Sequence, residues 1–112
     1  MKAIQVLKRA RKLFDERDRW MKGDYEKKCN RHFCYCAVGA IRKVTKGGDN
    51  YNNVNRDAYV EALTALAAVI PKKFQDNGAA EDSVINWNDD AFTIWSEVKR
   101  RFDRAIKRLE AA

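Results

Sequence analysis

The side chains best suited to chemistry in this chain lie between positions 29 and 41 and around position 88. Cys36 stands at the start of a stretch that predicts a helix, where free amides and the helix dipole stabilise a thiolate. His32 would be its base, and Asn88 or Asp89 the group that orients the base. However, His32 is the only histidine and lies four residues from Cys36 in a predicted loop. We therefore favour a protein without catalysis and keep Cys36, His32 and Asp89 as the candidates for it.

Potential metal ligands are also concentrated here, at Cys29, His32, Cys34 and Cys36. Structural zinc sites usually draw four ligands from two separated pairs, and no second pair is present. The sequence therefore favours small buried cysteines over a metal site, and we expect no cofactor. Three cysteines are an odd number, which argues against a disulfide framework and for free thiols in a reducing cytosol.

A glycine inside the predicted helix indicates close packing. Gly39 costs about 1 kcal/mol relative to alanine, which is tolerable where another group presses against the backbone. We expect the indole of Trp87 to fill that notch, and Asn88 and Asp89 to bond the unpaired amides at the helix start. The alternative is that these amides bind an anion such as phosphate. The candidate ligand-binding residues are therefore Cys36, Gly39, Trp87, Asn88 and Asp89.

The net charge of +7 is unevenly distributed, because two basic ends flank an acidic middle. A basic balance favours an acidic partner, either a protein surface or a nucleic acid. Aromatic residues near position 30 are interleaved with lysine and arginine and would stack on bases, but they would serve equally as rim residues of the core. The candidate contacts for such a partner are Lys27, Lys28, Arg31, Arg100 and Arg104.

Apolar periodicity predicts a compact all-α fold, one domain over 1–112, with four helices joined by long loops. The predicted helices cover residues 2–22, 35–46, 56–70 and 92–110. The predicted loops cover residues 24–33, 47–55 and 71–92. We find no bilayer-spanning apolar run and no secretory signal, so we expect a cytoplasmic protein without membrane contact.

An ordered set of motifs carries a resemblance to a known family. The motifs are Trp20-Met21-Lys22-Gly23, Cys36-Ala37-Val38-Gly39-Ala40-Ile41, Ile85-Asn86-Trp87-Asn88-Asp89, and a last helix with Thr93, Glu97-Val98 and Phe102-Asp103-Arg104-Ala105-Ile106. Together they resemble the DUF6197-like family of small uncharacterised proteins of bacteria and their phages. The resemblance implies a compact helical domain and a bacterial or phage setting, and it implies no activity.

The function expected from these observations is that of a small non-catalytic accessory protein of a phage or mobile element. It would bind a host or phage component, with an acidic protein surface as its contact, and inhibit or regulate it. Two alternatives stay open. One is a nucleic-acid-binding protein that uses its basic N- and C-terminal helices, and the other is a thiol-dependent enzyme centred on Cys36.

Overall fold

The computed structural model describes residues 1–75 and 78–112, which form five α-helices, one β-hairpin and two short 3-10 turns. The helices are α1 (Ala3–Leu13), α2 (Ala37–Thr45), α3 (Arg56–Ala67), α4 (Ala80–Asp89) and α5 (Trp95–Ala111). The hairpin strands are β1 (Glu26–Cys29) and β2 (His32–Tyr35), and the 3-10 turns cover Arg17–Arg19 and Lys72–Phe74. The prediction of an all-α fold with four helices is therefore wrong.

Helix α1 ends at Leu13, well before the predicted end at residue 22. The amides of Phe14 and Asp15 bond to carbonyls three residues back, which tightens the last turn and closes the helix. The chain then runs beside β2, where the amide of Met21 donates to the carbonyl of Tyr35 at 3.1 Å. The apolar pattern predicted a continuing helix, but this tertiary contact decides the backbone around residue 20.

The predicted loop at 24–33 is also wrong, because most of it forms the antiparallel hairpin. Strand β1 remains exposed at three of its four positions, so its sequence carries no alternating pattern. Asn30 takes the left-handed conformation that the turn requires, with φ of 56°, and asparagine tolerates it better than most residues. The paired residues are Glu26 with Tyr35, Lys27 with Cys34, Lys28 with Phe33, and Cys29 with His32.

The predicted loop at 71–92 contains helix α4 and one 3-10 turn, apart from residues 76–77, which lie outside the described residues. The buried face of α4 follows helical spacing but is half polar, with Ser83, Val84, Trp87 and Asn88. Such a face does not read as an apolar stripe, so the sequence pattern missed this helix. The neighbouring helices are shorter than predicted: α3 ends at Ala67 and α5 begins at Trp95.

Helix α1 lies at the centre of the helical layers and packs against α2, α3 and α5, while α4 packs against α2 and α3. The rings of Phe14 and Phe102 meet edge to face at 5.7 Å between centroids. The hairpin packs outside this core, against α2 and the Arg17–Arg19 turn. Within the described ranges, no helix is both long enough and apolar enough to cross a bilayer.

Candidate functional site

Asn88, near the end of α4, is a fully buried polar centre. Its Oδ1 accepts hydrogen bonds from the indole Nε1 of Trp20 at 2.8 Å and from the amide of Ala37 at 2.9 Å. Its Nδ2 donates to the carbonyl of Met21 at 3.1 Å and to Oδ1 of Asp89 at 3.0 Å. All four hydrogen-bonding positions of the side chain are therefore used. The amide of Ala37, which begins α2, gains the partner that a helix start lacks.

Two further contacts bind the end of α4 to the segment before the hairpin. The amide of Gly23 donates to Oδ1 of Asp89 at 3.1 Å, and Nζ of Lys22 donates to the carbonyl of Asp90 at 2.6 Å. The expectation that Asn88 bonds an amide at a helix start is confirmed. The same expectation is wrong for Asp89, whose amide partner lies in a loop.

Three segments thus meet at what we call the Asn88 junction, defined by Trp20, Met21, Gly23, Ala37, Asn88 and Asp89. They are the segments that carry the first three motifs of the family resemblance. The family model of DUF6197, a family of unknown function, matches residues 1–108. The chain belongs to DUF6197. No curated protein and no solved structure matches it.

In this DUF6197 protein the notch at Gly39 is filled by backbone. A Cβ built on Gly39 would lie 1.6 Å from the carbonyl oxygen of Tyr25, so only glycine fits. The prediction that Trp87 fills the notch is therefore wrong. Trp87 is buried, as expected, but it is one of the residues that line a different cleft, together with Phe74 and Phe92.

Cys36 caps the N-terminus of α2. Its Sγ accepts a hydrogen bond from the amide of Gly39 at 3.3 Å, and only 4% of the residue is exposed. Burial raises the pKa of this thiol, and the nearby carboxylate of Asp89 adds to the rise; the amides of Gly39 and Val38 oppose both. A buried thiol with a raised pKa is a poor nucleophile.

The first-turn amides of α2 offer little to an anion. The amide of Ala37 donates to Asn88, and that of Gly39 donates to Cys36. The cleft beside them has a volume of about 240 Å³ and carries two carboxylates in its lining, from Asp24 and Asp89. Their charge disfavours a phosphate at this position, so the geometry does not support the anion-binding alternative.

The Cys-His-Asp set is only partly assembled. Asp89 and Cys36 line the same cleft. His32 begins β2 and lies four residue steps from Cys36 along extended chain, about 13 Å at the usual rise. Its Nε2 instead lies 3.5 Å from Oδ2 of Asp18 in the Arg17–Arg19 turn. The structure therefore brings Cys36 and Asp89 to one cleft and places His32 elsewhere, beside Asp18.

The remaining cysteines are paired. Cys29 and Cys34 lie diagonally on one face of the hairpin, with Cα atoms 5.9 Å apart, and form a disulfide. The prediction of three free thiols is wrong for these two, and the structure leaves Cys36 as the free cysteine among the described residues. Within the same residues, no group of three or more histidine, cysteine, aspartate or glutamate side chains is placed to hold a metal ion.

The hairpin presents three cations to solvent. Lys27 and Lys28 lie on β1 and Arg31 lies in the turn, all three exposed. Among the described residues none of the three forms an ion pair, in contrast to Lys43 on α2, whose Nζ lies 3.7 Å from Glu26. Their charge is therefore available to a partner.

The other two candidate contacts, Arg100 and Arg104, lie on α5, which packs against α1 and α3 and not principally against the hairpin. Arg100 pairs with Glu97, and Arg101 pairs with the same carboxylate. Burial alone would raise the pKa of Glu97, but the two guanidinium groups outweigh it and lower the pKa. The predicted contact residues thus form two groups on different parts of the fold.

Sequence reasoning missed a polar cluster where α2, α3 and α4 meet. The hydroxyl of Tyr59 on α3 donates to the carboxylate of Glu81, and Nη1 of Arg42 lies 3.8 Å from that carboxylate. Burial, followed by the bond to Glu81, raises the pKa of Tyr59, so the phenol stays protonated. The guanidinium of Arg42 also lies 4.8 Å from the ring of Tyr25. The cluster holds Arg42 in place against that ring.

Residues that complete the Asn88 junction were also missed. The apolar pattern places Trp20 and Met21 in a long first helix, whereas in the structure both residues bond to Asn88. A signal for them existed, since the resemblance singled out Trp20-Met21-Lys22-Gly23 and the segment around Asn88 as ordered motifs. The contact between these two motifs could have been predicted from the expectation that the motifs of a small domain pack against each other.

Proposed function

We propose that this protein is a small non-catalytic accessory protein of a phage or mobile element. It binds a component of a bacterial cell through the hairpin and thereby inhibits or regulates that component. The observation that carries this proposal is the exposed trio of Lys27, Lys28 and Arg31. The trio has no carboxylate partner among the described residues.

The chemistry-bearing side chains support a role without catalysis. Asn88 uses all of its hydrogen-bonding capacity inside the junction. Cys36 is buried, caps a helix and has a raised pKa, which makes the thiol-enzyme alternative the weaker one. Buried and fully bonded groups hold a fold together but offer nothing to a substrate.

Local charge supports an acidic partner. Between residues 24 and 46 there are six lysine or arginine residues and two carboxylates. Unpaired surface cations raise association rates with acidic surfaces and select against basic ones. An acidic protein surface is the partner that this charge distribution fits.

An affinity-capture experiment with matched variants tests the proposal. The wild type, the hairpin variant Lys27→Gln/Lys28→Gln/Arg31→Gln and the helix variant Arg9→Gln/Lys12→Gln/Arg104→Gln are immobilised and exposed to nuclease-treated bacterial lysate. Both variants lose three positive charges at exposed positions. We expect the wild type and the helix variant to capture the same acidic protein, with salt-sensitive retention, and the hairpin variant to lose it.

Equal capture by the wild type and the hairpin variant would contradict the proposal. Loss of capture only in the helix variant would instead assign binding to α1 and α5, as in the alternative that uses the terminal helices.

A further inference from the structure

A strip of cations and aromatic rings runs from the hairpin onto α2. Lys28 and Phe33 are paired across the strands and share one face of the hairpin. Nζ of Lys43 lies 5.9 Å from the ring centroid of Phe33, which joins this face to α2. We call the hairpin–α2 strip the set of Lys28, Phe33, Lys43, Arg42, Tyr25 and Lys46.

The second half of the strip is a groove. Arg42 is the neighbour of Lys43 on α2, and its guanidinium lies 4.8 Å from the ring centroid of Tyr25. Lys46 continues the same wall, and the segment carrying Tyr25 forms the opposite wall. The groove has a volume of about 680 Å³, within the range of sites that bind small ligands or parts of larger ones. Gly39 allows the Tyr25 backbone to approach this closely.

Two aromatic rings on the strip are open to solvent. Phe33 is 44% exposed and Tyr25 is 41% exposed. A cation lies over each ring, Lys43 over Phe33 and Arg42 over Tyr25, which restricts the rings while leaving much of their surface accessible. Exposed aromatic rings beside cations are the feature that proteins use to stack the bases of single strands.

We propose that the hairpin–α2 strip binds single-stranded nucleic acid, with bases on Phe33 and Tyr25 and phosphates at Lys28 and Lys46. This inference goes beyond the proposed function, because it assigns a nucleic acid to a strip that shares only Lys28 with the hairpin trio. An acidic protein surface would use the cations but would not require the open rings. Duplex bases are stacked on each other and do not reach such rings.

The charge of the strip fits this assignment. Two carboxylates line the groove: Glu26 is paired with Lys43 at 3.7 Å, and Asp24 forms no ion pair with a described residue. Arg42, which also lies 3.8 Å from Glu81, Lys43 and Lys46 line the same groove, so its lining carries one net positive charge. Lys28 and Lys46 form no ion pair with any described residue, so they remain for the phosphates. Arg31 in the turn extends the positive charge beyond the rings, whereas Lys27 lies on the opposite face of the hairpin, so the total is about three phosphate contacts.

Fluorescence anisotropy tests the inference with the full-length protein and labelled 12-nucleotide oligo(dT), oligo(U), a duplex of equal length, and polyglutamate. At about 50 mM salt we expect both single strands to bind more tightly than the duplex. The logarithm of the binding constant should fall with the logarithm of salt with a slope of about −2. Phe33→Leu should weaken single-strand binding about ten-fold at an unchanged slope, because the apolar contact remains but the stacking ring is lost.

The matched control is Phe92→Leu, which changes a more exposed phenylalanine, 87% accessible, on the turn after α4. It should leave binding unchanged. Lys28→Gln/Lys46→Gln should make the slope shallower by about 1.4 and affect both single strands equally.

The absence of single-strand binding, equal affinity for the duplex, or no effect of Phe33→Leu would overturn the inference. If polyglutamate binds while no oligonucleotide does, the inference fails and the proposed function stands. If the oligonucleotides bind and the nuclease-treated lysate yields no protein partner, the inference stands and the acidic protein partner fails.

Discussion

The Asn88 junction and the hairpin are both rich in polar side chains, and they use them in opposite ways. At the junction each polar atom of Asn88 has a partner inside the protein, and the residue has no exposed surface. On the hairpin, Lys27, Lys28 and Arg31 point their charges to solvent without a partner among the described residues. Satisfied buried groups specify a structure, whereas unpaired exposed charges are free to select a ligand.

The largest effect is expected at Gly39. Gly39→Ala would place a Cβ 1.6 Å from the carbonyl oxygen of Tyr25, and backbone cannot move away as a side chain can. We expect a loss of at least about 3 kcal/mol in the free energy of unfolding, measured by urea denaturation. Gly23→Ala is the control, because Gly23 has a positive φ of 94° but open space around it, and its cost should be about 1–2 kcal/mol. A smaller loss at Gly39 than at Gly23 would contradict the close approach of Tyr25.

The second largest loss in the free energy of unfolding is expected from removal of the Asn88 side chain. Asn88→Ala leaves the indole of Trp20, the amide of Ala37 and the carbonyl of Met21 without their partner. We expect a loss of about 3 kcal/mol in the free energy of unfolding and a shift in the emission of Trp20. Asn86→Ala, on the exposed side of the same helix, should cost less than about 1 kcal/mol. Equal losses for the two variants would refute the junction as a stabilising centre.

A smaller effect is expected at Cys36. Serine also caps helices, so Cys36→Ser should change the free energy of unfolding by less than about 1 kcal/mol, while Cys36→Ala should cost about 1 kcal/mol. Burial and the raised pKa of the thiol should make alkylation of native Cys36 by iodoacetamide slow at pH 7. Rapid alkylation, or loss of partner binding in Cys36→Ser, would revive the thiol-dependent alternative.

Glu97 should give a still smaller effect that depends on pH. Its pKa in the folded protein lies below the ordinary value of 4.5, so the stability from its pairs with Arg100 and Arg101 is present above pH 4.5 and lost as the pH falls further. Glu97→Gln should therefore lower the melting temperature slightly at pH 7, and the difference should close near pH 3. A difference that widens on acidification would contradict this sign.

The contrast between the two regions also explains what the sequence could predict. The bond from Asn88 to a helix start was predictable, because a buried amide near unpaired backbone groups has few alternatives. The approach of Tyr25 to Gly39 was not predictable, because Tyr25 makes this contact through its backbone. The identity of its side chain therefore says nothing about the contact. The hairpin was missed because β1 is exposed on both faces, and the Cys29–Cys34 pair was missed because an odd cysteine count does not exclude one local disulfide.

The helices also divide into those that the sequence predicts and one that it does not. The apolar faces of α2, α3 and α5 were found to within a few residues, since they bury continuous stripes. Helix α4 was read as loop because two of its four buried residues, Ser83 and Asn88, are polar. Buried polar side chains interrupt the apolar pattern of a helix, and a strand whose polar side chains are mostly exposed shows no alternating pattern.

The most direct test of the contrast between the two regions compares the free energies of unfolding of the hairpin variant and Asn88→Ala. If the hairpin cations are free for a partner, Lys27→Gln/Lys28→Gln/Arg31→Gln should unfold within about 0.5 kcal/mol of the wild type while losing partner capture. Asn88→Ala should lose about 3 kcal/mol under the same conditions. A hairpin variant that loses as much stability as Asn88→Ala would show that these cations belong to the fold and would contradict the account.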